Sequence, residues 1–224
     1  MLHKTRGVVF KYFKYRDTSI IVKIFTEAFG LQTYVVNGVR SSKSKGRIAL
    51  YQPLTLLDLV VYHKPSSDIN RISEIKCSSP LKTIPYDIVK SSLGVFMAEL
   101  LYKSIKEEGE VADLYEFVHH SIEILDHMEE NYLNFHLQFL LKLTKYLGFG
   151  ITSSDQFFLL LSDDHLSEIT HLLLNESFTS EVGIKNSERR MLLEHLIAFY
   201  KVHIDNMGEV KSIKILREVL EDIQ

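Results

Sequence analysis

The sequence predicts an α+β protein: a small β-barrel over roughly the first 80 residues, followed by an all-α domain. Three observations carry that reading. Short runs of β-branched and aromatic residues fill residues 5–77 and are joined by brief polar turns. From Pro80 and Pro85 onward, apolar residues recur at spacings of three and four instead of two. The charge changes sign at the same place. Residues 1–82 hold 14 Lys and Arg against 5 Asp and Glu, a net +9, whereas residues 83–224 hold 12 against 24, a net −12.

The strands come first. TRGVVFKYFKY (5–15) sets Val9, Lys11 and Phe13 against Val8, Phe10 and Tyr12 in strict alternation. TSIIVKIFT (18–26) and LQTYVVNGV (31–39) share its character, and Gly30 supplies a positive φ to the turn between them. YQPLTLLDLVVYHK (51–64) carries Pro53 near its start, where the ladder tolerates a missing donor, and INRISEIKC (69–77) closes the set. No helix signal interrupts these runs. Five short antiparallel strands with short connections point to the five-stranded OB-fold barrel.

The helical part opens with DIVKSSLGVFMAELLYKSIKE, where Ile88, Leu93, Phe96 and Leu100 mark a stripe. Further helices are expected at about 110–128, 131–147, 166–174, 187–204 and 212–222. NYLNFHLQFLLKLTKYLG is apolar around most of its circumference, the pattern of a helix at the centre of a bundle, and Gly148 stands where a C′ glycine belongs. The expected division is therefore a barrel over 1–80 and a helical domain over 81–224.

Several function classes drop out. No run approaches the roughly 18 apolar residues of a membrane span. The N-terminus MLHKTRGVVF has no apolar h-region or small-residue cleavage site, so the expected location is the cytoplasm. A single cysteine, Cys77, excludes an internal disulfide and any zinc site built on several thiolates. The Glu-x-x-His pairs Glu116/His119 and Glu168/His171 have the spacing of di-iron ligands. Val111, Val118, Ile122 and Leu125 define the core stripe of their helix, however, and Glu116 falls about 160° away with His120, Glu123 and His127, on the solvent side. His203, at the end of the stripe Leu192, Leu196 and Phe199, reads as a core histidine. No nucleophile elbow, P-loop or dinucleotide fingerprint occurs. Neither an enzyme nor a metal or cofactor site is expected.

What remains is charge. GVRSSKSKGR (38–47) puts Arg40, Lys43, Lys45 and Arg47 among serines and glycines with no acid. Arg6, Lys11, Lys14, Arg16 and Lys23 come from neighbouring strands. Such a set suits the phosphates of a nucleic acid, and Tyr12, Phe13, Tyr15 and Tyr34 are candidates for stacking on bases.

GVVFKYFKYRDTSIIVKIFTEAFGLQTYVVNGVRSSKSKGRIALYQPLTLLDL resembles the N-terminal region of the bacterial recombination-mediator family RecO, as do FHLQFLLKLTKYLGF and YKVHIDNMGEVKSIKILREVL its helical domain and C-terminus. The family pattern runs G-[IV]-V, Y-x-x-x-D/S-x-I-[VL], F-[TS]-x-x-x-G and K-G-[AV]-R-x-x-K-S-[KR]. Two departures stand out: Asn37 replaces a frequent lysine, and the four zinc-binding cysteines of many members are missing. The resemblance implies binding of single- and double-stranded DNA, annealing of complementary strands, and DNA repair at the nucleoid. It also implies partnership with RecR and with the acidic C-terminal tail of single-stranded-DNA-binding protein, so that recombinase can be loaded. For that tail, Lys142 and Lys145 beside Phe139 and Tyr146 are the expected site on the helical domain. The alternative is an OB-fold adaptor for RNA or protein without a recombination role.

Overall fold

A computed structural model describes residues 1–42, 44, 46–105, 111–151 and 164–222. The chain forms two compact units, Met1–Leu81 with Ala98–Ile122, and Lys82–Met97 with Glu123–Gln224. Five strands, β1 (Leu2–Tyr15), β2 (Ser19–Thr26), β3 (Gly30–Val36), β4 (Leu56–Tyr62) and β5 (Asn70–Ser79), close into a barrel in the order β1-β2-β3-β5-β4. All neighbours are antiparallel except β3 and β5, whose short parallel contact at Tyr34↔Asn70 and Val35↔Arg71 seals the cylinder. This is the expected five-stranded OB-fold topology. Among the described residues six α-helices follow: α1 (Ile88–Ser104), α2 (Ala112–His127), α3 (Phe135–Tyr146), α4 (Asp164–Asn175), α5 (Asn186–His203) and α6 (Ser212–Glu221).

The barrel interior is filled by Val9, Ile20, Val22, Ile24, Tyr34, Leu57, Leu59 and Val61. Gly7 lies among them for want of space: a Cβ there would meet Ile24 Cγ2 at 2.7 Å and Leu59 Cδ1 at 2.8 Å. The strict alternation expected of β1 is broken once. Val9 pairs with Ile24 but Lys11 pairs with Lys23, so Phe10 is the extra residue of a bulge. Tyr12 therefore packs against the barrel core, while Lys11 shares the face of Lys23. Phe10 is left to stack on Phe25 (5.6 Å between centroids), which in turn meets Tyr115 of α2 at 5.8 Å.

The segment between β3 and β4 is more structured than its composition suggests. Val39 is buried, and a 3₁₀ turn over Arg47–Tyr51 brings Ile48, Leu50 and Tyr51 to the barrel core. The serines fold it locally: Ser41 Oγ donates to the Gly38 carbonyl at 2.8 Å and Ser44 Oγ to the Val39 carbonyl at 2.6 Å.

In the second unit α3 is buried on most faces, from Phe135 through Leu141 and again at Leu143 and Thr144. Gly148 (φ +85°) ends it directly after the cap Leu147. Two sequence expectations need correction. Ile88 is 73% exposed, and the buried face of α1 starts from Val89 instead. His203 is exposed, with its ring stacked on Phe149 at 4.8 Å, because the buried face of α5 runs through Leu193, Ile197 and Tyr200 to Ile204 and leaves His203 beside it.

The stretch after β5 is held by one carboxylate. Asp126, on α2 and 3% exposed, accepts backbone N–H bonds from Lys82 (2.7 Å), Thr83 (2.9 Å) and Ile84 (2.9 Å). Buried Lys90 braces the same corner by donating to Thr83 Oγ (2.7 Å) and to the Met128 carbonyl. Burial pushes the Asp126 pKa up, but the bonds from Ile84, Lys82 and Thr83 outweigh it and hold the group below the ordinary carboxylate value. A depressed folded-state pKa means stability that is present above the unfolded value and lost as pH falls through the folded one. Asp126→Asn, which turns a donor toward those N–H groups, is expected to cost about 2–3 kcal/mol near neutral pH. In urea titrations the gap to the parent should narrow below about pH 4; a gap independent of pH would show that the charge is not what holds the segment.

Candidate nucleic-acid interface

The nine cations named from the sequence do not form one patch. Arg16 sits at the tip of the β1–β2 turn with φ +48°, and its guanidinium lies over the Tyr15 ring at 5.1 Å. The β3–β4 segment docks against that turn. The Arg40 backbone N–H donates to the Thr18 carbonyl at 2.9 Å, and its side chain donates to the Arg16 carbonyl at 3.3 Å. Ser19 Oγ reaches Asn37 Oδ1 at 3.1 Å, so the residue that departs from the family lysine helps to fasten the segment. Arg40 and Arg47 are exposed, as is Lys14 one residue before Tyr15. Arg16, Arg40 and Lys14 thus share one end of the barrel, with Arg47 on the same segment. Lys43 and Lys45 lie outside the described residues.

Lys11 and Lys23 are directly opposite one another across β1 and β2. The Lys11 ammonium lies 4.9 Å from the Phe13 ring and 5.5 Å from that of Tyr102 on α1, a pairing that no local sequence signal marks. Phe13, 40% exposed, remains available for stacking on this face. Tyr34 does not: it is fully buried in the barrel, and burial raises its pKa. Tyr12 is half-buried against the same core.

Arg6 is set apart. Ten residues of extended chain separate it from Arg16, about 30 Å at the strand rise. Its guanidinium donates to both oxygens of Glu27, at 2.8 and 2.9 Å, and also pairs with Glu116. The bond to Glu27 raises the Arg6 pKa, and the same bond lowers that of Glu27. Two carboxylates already satisfy this cation. Glu116, of the first Glu-x-x-His pair, is exposed and engaged here, and Glu168 and His171 of the second pair are exposed on α4. Among the described residues no three His, Cys, Asp or Glu side chains gather as a metal site would require.

The four helical-unit residues also separate. Phe139 is fully buried, stacked near Phe135 at 6.4 Å. The Lys142 ammonium donates to the carbonyls of Leu174 and Glu176, both at 2.8 Å, capping the C-terminus of α4. Burial lowers its pKa against the pull of Glu176. Only Lys145 and Tyr146 are exposed, with the Lys145 ammonium 5.9 Å from the Tyr146 ring.

Comparison with known proteins identifies the family. Residues 1–81 match the model of the recombination protein O N-terminal domain, and residues 85–157 match that of its C-terminal domain. The chain belongs to the RecO family. Relatives named DNA repair protein RecO extend the match over nearly the whole length. The one from Bacteroides fragilis is 32% identical over 99% of this chain and 100% of its own. Those from Flavobacterium johnsoniae and Flavobacterium psychrophilum are 34% and 33% identical, each over 96% of this chain and 98% of theirs. No helix among the described residues is long and apolar enough to cross a membrane.

Two substitutions separate the roles of the cations. Replacing Arg16, Arg40 and Arg47 by alanine is expected to lower the log–log salt slope of single-stranded DNA binding by about 0.7 for each phosphate that is no longer neutralised. Arg6→Met should leave that slope unchanged and instead lower the unfolding free energy from urea titration, by about 1 kcal/mol or less for a half-exposed pair. The reverse pattern would put the phosphates at Arg6.

Proposed function

We propose that this RecO-family protein is a DNA-binding recombination mediator. It anneals complementary strands and helps to load recombinase onto DNA coated with single-stranded-DNA-binding protein. The observation that supports this reading is the end of the barrel where the β1–β2 turn and the β3–β4 segment carry Lys14, Arg16 and Arg40, with Arg47 further along that segment, on a chain whose relatives are named DNA repair proteins. Annealing by such a surface needs no bond-making step. Phosphates of two strands repel one another; cations held on a rigid barrel reduce that repulsion, and counterion release supplies affinity. Phe13 and Tyr15 give exposed or half-exposed rings for unpaired bases. The protein acts without catalytic residue, metal or cofactor, in the cytoplasm at the nucleoid, with RecR and the acidic tail of the coating protein as partners.

For the tail, Lys145 and Tyr146 at the end of α3 are the candidate site, since Phe139 is buried and Lys142 holds α4. An ammonium beside an aromatic ring suits a carboxylate next to an apolar side chain. The decisive experiment is a strand-annealing assay with complementary oligonucleotides, bare and coated. Annealing of coated strands, reduced by the Arg16/Arg40/Arg47 variant, is expected; annealing of bare strands alone would leave a general DNA-binding barrel. Titration of a labelled tail peptide should show weaker binding to Lys145→Glu with unchanged affinity for bare DNA. Equal peptide affinity would remove the tail from this end of α3.

A further inference from the structure

His136 is the second residue of α3 and has no exposed surface. Neither ring nitrogen has a hydrogen-bond partner of good geometry among the described residues. A buried polar group left this way is costly, so a partner ordinarily satisfies it. The ring lines a narrow cavity of about 30 Å³ together with Arg189 and Arg217, walled by Leu193 and Leu220. That is room for a water molecule or an ion of similar size.

The cations around it are unevenly paired. Arg190 and Glu221 also line the cavity; Arg190 meets Glu194 and Glu221, and Arg217 meets Glu194 at 2.9 Å, but the Arg217 Nε is buried with no partner among the described residues. Arg189 is 6% exposed and donates only to neutral oxygens: Asn134 Oδ1 at 2.8 Å, Asn186 Oδ1, and the Ile184 carbonyl at 3.1 Å. No ion pair to it is formed among the described residues: Glu221, which lines the same cavity, is paired with Arg190. A buried guanidinium without a counter-charge is costly, because taking it out of water is repaid by an opposite charge far better than by dipoles. α3 adds to the imbalance, since its N-cap Asn134 makes no side-chain cap and directs its amide oxygen to Arg189 instead.

We propose that this pocket binds one small monovalent anion, a carboxylate group or chloride, between the His136 ring, Arg189 and the Arg217 Nε–H. The anion supplies the missing counter-charge and the missing acceptors at once. Water could fill the volume but not balance the charge. Burial and then the neighbouring Arg189 push the His136 pKa down to about 3, against an opposing pull from the Leu133 backbone. None of its residues belongs to the barrel.

The test is NMR of the histidine ring nitrogens in the ¹⁵N-labelled full chain. Formate or chloride replaces methanesulfonate, which is too bulky for the cavity, at constant ionic strength. The His136 ring signal, assigned by its loss in His136→Gln, is expected to move saturably. Arg217→Gln should weaken the titration about tenfold, equivalent to about 1.4 kcal/mol. Formamide, the neutral analogue of formate, should have no effect. A ring signal unmoved by either anion, or moved equally by formamide, would overturn the proposal in favour of water. Should His136→Gln fail to fold, the urea midpoint of the parent decides: it rises with formate over methanesulfonate if the anion binds, and is the same in both if it does not.

Discussion

One extra residue in β1 governs the first unit. Without the bulge at Phe10, strict pairing from Val9↔Ile24 would set Lys11 opposite Val22, a core residue, and turn Tyr12 away. A lysine inside a closed barrel of aliphatic side chains would lose its hydration with no acid to meet it, a cost no barrel of this size absorbs. The bulge restores the alternation in the right sense for the second half of the strand. It also places Phe10 against Phe25, extending the packing from the barrel to Tyr115. The outward position of Lys11 and the exposure of Phe13 follow from that single insertion. So does the delivery of Arg16 to the turn where Arg40 meets it.

Counting cations in a sequence overstates those free to meet a ligand. Arg6 belongs to the same basic half as Arg16, yet two carboxylates have claimed it. Lys142 and Lys90 lie in the acidic half, yet their ammonium groups are bound to backbone carbonyls. In each case the partner lies far away in sequence: 21 and 110 residues for Arg6, 32 for Lys142. Local composition carries no mark of it.

That distance also separates what is legible in the sequence from what is not. The five strands, the change of period near Pro80, the buried α3 and the C′ glycine at 148 all rest on nearest-neighbour physics: side-chain alternation, helical spacing and the left-handed conformation. Each is readable. The outward position of Glu116 is readable for the same reason, from a helical wheel. The bulge is not, because β1 is rich in apolar and aromatic residues on both faces and gives no break in pattern at Phe10. Tyr34 reads as a ring for bases because its alternation with Val36 and Gln32 allows either face. The β3–β4 segment looks shapeless because its serines read as linker, whereas they bond back to the carbonyls of Gly38, Val39 and Ser41. Asp126 and His136 carry no signal at all, since nothing local distinguishes a surface aspartate or histidine from a buried one.

The inward cations sharpen the charge asymmetry between the two halves of the chain. Lys90 is 3% exposed, Arg189 is 6% exposed and Lys142 is half-buried, and all three belong to the acidic half. Their charges face carbonyls and amides, so the surface of the helical part is more acidic toward solvent than its formal balance of −12. A surface of that sign repels a polyanion, whereas the basic half of the chain attracts one. The same field opposes any acidic peptide approaching the helical part. An attachment there must depend on a short-range interaction, an exposed ammonium next to a ring or a cation inside a pocket, where geometry outweighs a screened field of the opposite sign. Lys145 beside Tyr146 offers one; Arg189 beside His136 is buried and has room only for a small ion.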